Sequence, residues 1–408
     1  MAIKALYLHI PFCKSKCAYC DFDSVPACGL DDARSAQALY LDRLTSRLDA
    51  FGAAGLLDEV CTVYIGGGTP SILGGRLVEL VRSVMHWCVP EEFTCEANPE
   101  SFTASLAFEL AHAGVTRVSL GVQSLQDDEL KAIGRIHNAV QALDAIRFAR
   151  DAGLDVSCDL MCGLPFQTQD SWTTSVTRLI EAGPCHVSIY PLSVEDGTPL
   201  ASMVDSGRLI LPDEDEQADE MELARRLLTG AGFAPYEVAS YALPGHACKH
   251  NISYWTGVEY LGLGRSAASM VSPETLLAAS TLFSDFESSD DTTRVRILQT
   301  DDTASAFEVE QLGVREAMGE DLMLACRMTR GIFQDLLLRA SAVFGEKNVA
   351  DTCARAIELG LATWAVPDGE NYVDASSVRG SLFPGALAPT KQGWLEGNEL
   401  FGLFWNLA

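Results

Sequence analysis

Positive charge is scarce in this 408-residue chain. Its 29 Lys and Arg face 56 Asp and Glu, for a formal net charge of −27. Such a surface repels phosphate backbones, which argues against a nucleic-acid partner. Long apolar runs are missing too. No stretch approaches the ~18 uninterrupted apolar residues of a membrane-spanning helix. The opening residues, MAIKALYLHIPFC, lack the extended apolar core and small-residue cleavage site of a secretory leader. A cytoplasmic protein is therefore the expectation. There is no long internal repeat and no low-complexity tract. With 48% apolar and 21% charged residues, there is ample material for a packed core. At ~100–200 residues per domain, the length predicts two or three domains, or one large domain with an appendage.

Cysteine, by contrast, is plentiful. There are 13, an odd number in a large chain with no export signal, which favours reduced thiols over a disulfide framework. Cys61, Cys88, Cys326 and Cys353 stand singly inside apolar patterns and read as small core residues. Cys13, Cys17 and Cys20 differ, because they crowd together just after the first apolar run.

Six short apolar runs, at 5–10, 62–65, 92–95, 117–122, 155–161 and 186–191, predict strands. The segments between them have helical spacing, at 36–51, 73–87, 106–113, 140–152 and 171–182. Strand–helix repeats of this kind predict an α/β fold with a parallel sheet covered by helices. Three helical segments end in Ala-Gly, a suitable helix C-terminal cap. A complete barrel, a partial barrel and an open doubly wound sheet all fit this rhythm. After residue 192 the rhythm changes. Pro212 followed by DEDEQADE reads as a helix start whose acids form a solvated face. Residues 237–241 read as one more strand. Residues 284–306, rich in Ser, Thr and Asp, read as a linker or loop. Residues 307–340 and 349–359 read as helical. Residues 361–365 and 371–374 flank a Pro-Asp-Gly turn and predict a hairpin. The expected division is thus 1–283, 284–306 and 307–408, with a mostly helical, winged-helix-like C-terminal domain.

Thiolates at C-x3-C-x2-C spacing in a loop are ligands of the type that holds iron–sulfur clusters. Three ligands on a four-iron cube leave one iron open to a chelating small molecule, as an open catalytic zinc position does. A zinc knuckle is the alternative, with Cys28 or His9 as its fourth ligand.

C-x3-C-x2-C with Tyr19 before the last cysteine resembles the radical S-adenosylmethionine (radical SAM) enzymes. YLHIPFC at 7–13, IGGGTPS at 65–71, EANP at 96–99, GVQS at 121–124, GRIH at 134–137 and DLMCGLP at 159–165 look like the HemN/HemW group of that superfamily. The resemblance spans nearly the whole chain. It implies a partial (β/α)6 TIM-like barrel with its chemistry at the C-terminal ends of the strands. It also implies a 4Fe-4S cluster on Cys13, Cys17 and Cys20. The open iron would bind the methionine moiety of S-adenosyl-L-methionine, and reduction would give a 5′-deoxyadenosyl radical. Tyr7, Tyr19, Gly67, Gly68, Thr69, Glu96, Gln123, Arg135 and Asp159 fall on cofactor-contacting positions of the group.

Two features point within the group. Porphyrinogen oxidases carry a fourth cysteine two residues after the third, where this chain has Phe22. HNISYW at 250–255 resembles the HNxxYW signature associated with heme in the HemW branch. That match offers His250 as an iron ligand and Asn251, Tyr254 and Trp255 as neighbours of a porphyrin. The alternatives are a loop-orienting His250 with a core Trp255, or a metal held by His246 and Cys248. Departures are Arg265 and Ala268, where the branch has proline and histidine, and Cys162, where it usually has tyrosine. The implied function is a heme chaperone, whose partners are heme and heme-acceptor proteins, including respiratory, membrane-associated ones. An electron donor joins them if radical chemistry occurs, and a homodimer stays open. The other readings are oxygen-independent coproporphyrinogen III oxidation and a HemN-like methyl transfer or cyclopropanation.

Overall fold

Alternation with a period of two puts successive strand residues on opposite faces of a sheet. The computed structural model describes residues 2–26, 30–279, 282–283, 289, 291–368, 371–374 and 383–408. In it, six strands use this alternation to separate a helix-packed wall from a polar lumen. They are β1 (Ala5–Ile10), β2 (Thr62–Gly67), β3 (Glu92–Ala97), β4 (Arg117–Gln123), β5 (Asp155–Cys162) and β6 (His186–Pro191). Each pairs in parallel with the next. Leu6, Leu8, Val63, Ile65, Phe93 and Val118 point outward into one large buried cluster. Tyr64, Thr94, Glu96, Ser119, Ser157, Asp159 and Ser188, at the alternate positions, line a cavity on the other face.

The strand order follows the sequence from β1 to β6 without reversal. That excludes a doubly wound sheet, whose order reverses at a switch point. The barrel is incomplete, and among the described residues its sheet is extended at both edges to twelve strands. Tyr260–Leu263 joins β1 in parallel, and Ala268–Val271, Thr292–Gln299 and Phe307–Gly313 follow antiparallel. Ser240–Ala242 covers the free edge of β6.

The helices between the strands are fixed by their ends. Asn138 with Gln141 and Thr168 with Ser171 form capping boxes, each satisfying two otherwise unpaired N–H groups. Gly114 and Gly183 close the preceding helices at φ of 117° and 77°, a left-handed geometry that suits glycine. Asp213 and Glu216 cap the acidic helix Glu214–Gly230. That helix is not wholly a solvated face: Glu220 is buried and accepts the Gly163 N–H at 2.7 Å.

Other expectations need correction. The presumed linker at 284–306 contains the strand Thr292–Gln299. Val295 and Ile297 point into the core, while Arg294 and Arg296 pair with Glu320, Asp321 and Glu310. Residues 307–313 are a strand, and helix begins only at Val314–Ala325. The strand expected at 237–241 shrinks to Ser240–Ala242, preceded by an isolated bridge between Glu237 and Met328. Cys61 is exposed, whereas Cys88, Cys326 and Cys353 are buried.

Helices Val314–Ala325, Gln334–Phe344 and Glu346–Glu358 pack a second core around Leu322, Ile332, Leu337 and Phe404. The expected hairpin is present as Ala362–Asp368 and Asn371–Asp374, and Ala386–Pro389 adds a third antiparallel strand. The hairpin tip, with Gly369, lies outside the described residues.

The floor of the barrel is a charged plug. Glu92 is buried at the start of β3, and its carboxylate accepts the N–H groups of Lys249 and His250, both at 2.9 Å. It thereby caps the helix Lys249–Trp255, where a negative charge complements the positive end of the helix dipole. Arg117 lies 3.6 Å from Glu92 and 3.7 Å from Asp155. Without Glu92 the buried Arg117 guanidinium keeps only the partly exposed Asp155, 3.7 Å away, as a counter-charge. Glu92→Ala is therefore expected to cost about 3–5 kcal/mol, read as a fall in the urea midpoint. A shift under about 1 kcal/mol would show that the plug is not structural.

Candidate functional site

At the C-terminal ends of the strands, the cysteine loop folds over the barrel mouth. Leaving β1, the chain pairs Phe12 and Cys13 with Val25 and Pro26, so both flanks of the loop are fixed. Ala18 at its tip donates to Ile133 O and accepts from Leu200 N, both at 2.9 Å. Arg265 adds a clamp, meeting Asp23 at 2.8 Å beside the Ser266 hydroxyl bond to the same carboxylate. The departure from proline at this position thus has a local role, tying the strand extension to the cysteine loop. The pair is partly exposed, so Arg265→Ala is expected to cost at most about 1 kcal/mol of stability. It should nonetheless speed iron release to a chelator severalfold in the reconstituted protein. Unchanged release would mean the clamp is irrelevant to the loop.

Two donors face the thiols. Thr69 Oγ1 lies 3.5 Å from Cys13 Sγ, and Arg135 Nη1 lies 3.5 Å from Cys17 Sγ. Arg135 is held by Asn98 Oδ1 at 2.7 Å and Gly121 O at 2.6 Å. It therefore stands beside the cysteines, bound to the barrel wall. His9 is no fourth ligand in this arrangement, since its ring nitrogens meet Tyr7 Oη at 3.0 Å and Asp23 O at 3.4 Å. Cys28 lies outside the described residues.

Behind the cysteines, the glycine turn leaves β2 with no room for side chains. A Cβ on Gly68 would lie 2.6 Å from Phe12 O, and one on Gly67 would lie 2.5 Å from the His9 ring. Gly67 also has φ of 110°, and its N–H donates to Glu96 Oε2 at 3.0 Å. Tyr64 donates to Glu96 Oε1 at 2.8 Å. Burial raises the Glu96 carboxyl to about 7, the Tyr64 and Gly67 bonds oppose the rise, and the nearby Asp159 charge adds to it. Burial likewise raises Asp159 to about 6, opposed by bonds from Ser188 and Ser119 and by the Arg135 charge. Two buried carboxylates that burial pushes toward neutrality are a place for a cation and for hydroxyl donors. The ammonium and ribose of S-adenosyl-L-methionine supply those groups, so the residues fit this cofactor.

Gln123 closes the ring at a bulge between β4 and β5, with φ of 64°. Such backbone costs about 1 kcal/mol or more and tends to occur where position matters. A cavity of about 140 Å³ is walled by Cys13, Cys17, Tyr19, Cys20, Gly67, Gly68, Thr69, Glu96, Gln123, Arg135 and Asp159. Eleven residues named from the sequence are thus brought by the fold to one place. Tyr7 is the exception. It does not line this cavity; it stacks on Tyr64 at 6.2 Å and its hydroxyl meets His9 Nδ1 at 3.0 Å. Asn98, also on this wall, was missed, although EANP contains it. Phe22 is 64% exposed and overhangs the mouth.

Below the mouth the lumen continues as a cavity of about 290 Å³ that reaches Asn251 and Cys248 on the floor. Here the expectation for His250 meets the structure. Its side chain is 1% exposed, with Nδ1 at 3.0 Å from Thr62 Oγ1 and Nε2 at 3.0 Å from Tyr254 Oη. Burial lowers its pKa to about 3, so it is neutral. With both nitrogens engaged, it has none free for iron as placed. Tyr254 packs against Tyr260 at 4.7 Å, inside the protein. Asn251 and Trp255 alone of the four reach a second cavity. Cys248 is buried against Glu92, and His246 bonds Asp155 at 2.8 Å, so these two do not share a site. Ala268 lies on the strand Ala268–Val271 opposite Leu298.

Comparison with known proteins agrees with this geometry. Residues 7–179 match the Radical SAM superfamily. The chain is 39% identical over 271 residues to the heme chaperone HemW of Escherichia coli (strain K12), covering 64% of this chain and 69% of that one. It is 29% identical over 410 residues to heme chaperone HemW of Bacillus subtilis (strain 168), covering 98% and 99%. The solved structure of coproporphyrinogen III oxidase HemN from Escherichia coli, a radical SAM enzyme, superposes with a TM-score of 0.71 at 19% identity, over 99% of this chain and 90% of that one. That last likeness shows the fold, including the C-terminal region. The chain belongs to the HemW family of radical SAM proteins.

Proposed function

We propose that the chain is a heme chaperone, which binds heme and passes it to an acceptor protein. The similarity to HemW, extending over more than two thirds of the Escherichia coli chain, carries this reading. The lumen supports it. Ligand pockets are typically ~300–1,000 Å³ for drug-sized molecules, and the 290 Å³ of lumen leaves little space for a tetrapyrrole beside a cofactor. Cys13, Cys17 and Cys20 hold a 4Fe-4S cluster. Gly67, Gly68, Thr69, Glu96, Gln123 and Asp159 hold S-adenosyl-L-methionine against it, with Arg135 steadying the cysteine side. His250 and Tyr254 support the floor helix that carries Asn251 and Trp255.

The acceptor is a heme protein, and a respiratory one at a membrane fits the role. Among the described residues no helix is long and apolar enough to cross a membrane, so nothing described anchors the chaperone there by a helix. All twelve described cysteines are free, which suits a reducing, cytoplasmic setting. Radical chemistry, if it accompanies transfer, requires an electron donor.

The test is transfer itself. Protein reconstituted anaerobically and loaded with one heme is mixed with an excess of an apo-hemoprotein. The Soret band should move to that of the acceptor faster than from free heme, and with S-adenosyl-L-methionine bound. No faster delivery than from free heme would contradict the chaperone role.

A further inference from the structure

A chaperone needs a place where heme is held firmly enough to carry and openly enough to give up, and the lumen provides neither space nor a free His250. A larger cavity, of about 530 Å³, lies between the β6 edge and the C-terminal helices. That volume falls within the range that holds drug-sized ligands, where apolar walls and a few polar groups are the rule. Its aromatic walls are Tyr190 on β6, Trp255 at the end of the floor helix, and Trp394 and Phe401 from the last two helices.

Two donors in this cleft have no acceptor. Trp255 Nε1 and Arg327 Nε are both buried and make no hydrogen bond. Unpaired buried donors cost free energy, and a small shift of either side chain toward a ligand oxygen in the cleft would relieve it. The Arg327 guanidinium lies 5.2 Å from the Trp255 ring and 4.7 Å from the Phe401 ring. These rings orient it without neutralising it. Glu237, on the same wall, accepts the Ala239 N–H at 3.2 Å, and its charge attracts the guanidinium and offsets part of it. Glu396 and Glu399 stand at the exposed rim and disfavour an anion that enters carboxylate first.

We infer that heme docks in this cleft, with its ring against Trp255, Trp394 and Phe401 and a propionate on Arg327. The inference rests on the heme-chaperone reading and adds a location to it. Flat aromatic walls match a flat apolar ring, and an arginine with free N–H groups matches a carboxylate. Tyr190 and Met221 are the wall side chains whose donor atoms can ligate iron. The location also gives the HNxxYW segment a physical role. His250, bonded on both sides, fixes the helix that presents Asn251 and Trp255. Asn251 and Tyr190 line both the cleft and the lumen. Heme in the cleft is thus one side chain away from the cavity that meets the S-adenosyl-L-methionine site. Occupancy of one cavity can therefore alter the wall of the other.

The experiment is heme titration of the full-length, anaerobically reconstituted protein, followed at the Soret band. Arg327→Gln removes the charge. Asn398→Trp fills the cleft from an exposed position on its rim and leaves both cores untouched. Each should weaken heme about tenfold or more, with iron content unchanged. With heme dimethyl ester as the probe, Arg327→Gln and wild type should bind alike, because the ester has no carboxylate. If wild type binds heme and both variants bind within twofold of it, the cleft is wrong and the chaperone reading stands. A His250→Gln variant that loses the Soret band while Arg327→Gln keeps it would likewise overturn the cleft. If wild type shows no saturable heme binding, both readings fall.

Discussion

Replacing Cys13, Cys17 and Cys20 together with alanine is expected to take bound iron from about four atoms per chain to none, while the chain still folds. The loss should be complete because the proposed site gives the cluster these three thiols as its protein ligands. Folding should survive because other bonds hold the loop. Phe12 and Cys13 pair through their backbones with Val25 and Pro26. Ala18 is tied to Ile133 and Leu200, and Thr69 N donates to Phe12 O at 2.7 Å. Arg265 holds Asp23. None of these bonds uses sulfur. The measurement is iron and sulfide analysis after anaerobic reconstitution, with a urea melt of the same samples. Substantial iron in the triple variant, or a colourless wild type carrying one tetrahedral zinc, would refute the cluster.

The second large effect is expected at Glu96 and Asp159. Glu96→Gln with Asp159→Asn should weaken S-adenosyl-L-methionine about 100-fold or more, at ~1.5–3 kcal/mol for each hydrogen bond to a charged group. Wild-type affinity should also depend on pH, with a sign the carboxyls fix. Burial raises Glu96 from 4.5 to about 7 and Asp159 from 3.8 to about 6. In the empty protein, the protonated forms are favoured on folding. That contribution to stability is full below the ordinary pKa values and is lost as pH rises toward 7. A cationic ligand reverses the preference, since it binds the ionised carboxylates. Affinity should therefore climb from about pH 5 to about pH 8 and level off, and the double variant should show a flat profile. Calorimetry across that range checks both points. Equal affinity in wild type and double variant would mean that the two carboxylates do not touch the ligand.

The six barrel strands were legible because each carries its own signature, apolar residues outward and polar residues inward, between segments of helical spacing. The mouth was legible by another route. Glu96, Gln123 and Asp159 were named through the family resemblance, and the fold puts all three at or near the ends of those strands. The Thr292–Gln299 strand was hidden by its neighbours. Ser, Thr and Asp on its flanks resemble a linker, and only its alternation of Arg294 and Arg296 with Val295 and Ile297 betrays a strand. The partners of the two arginines, Glu310, Glu320 and Asp321, come later in the chain, and sequence order does not reveal them. The floor shows the same limit. Glu92 sits two residues before Thr94 and four before Glu96, on the lumen side by period, yet its contact with His250 spans 158 positions. A motif such as HNxxYW names its residues without saying which of them faces a cavity. Two turn inward to support, and two turn toward the cleft.

One measurement bears most directly on the claim that this chain carries heme. Anaerobically reconstituted protein, with S-adenosyl-L-methionine present, is titrated with heme, and a parallel sample receives coproporphyrinogen III and a reductant. Saturable binding of one heme per chain, with no protoporphyrinogen formed in the parallel sample, is the predicted result. Protoporphyrinogen formation without saturable heme binding would contradict the account and make the chain a porphyrinogen oxidase.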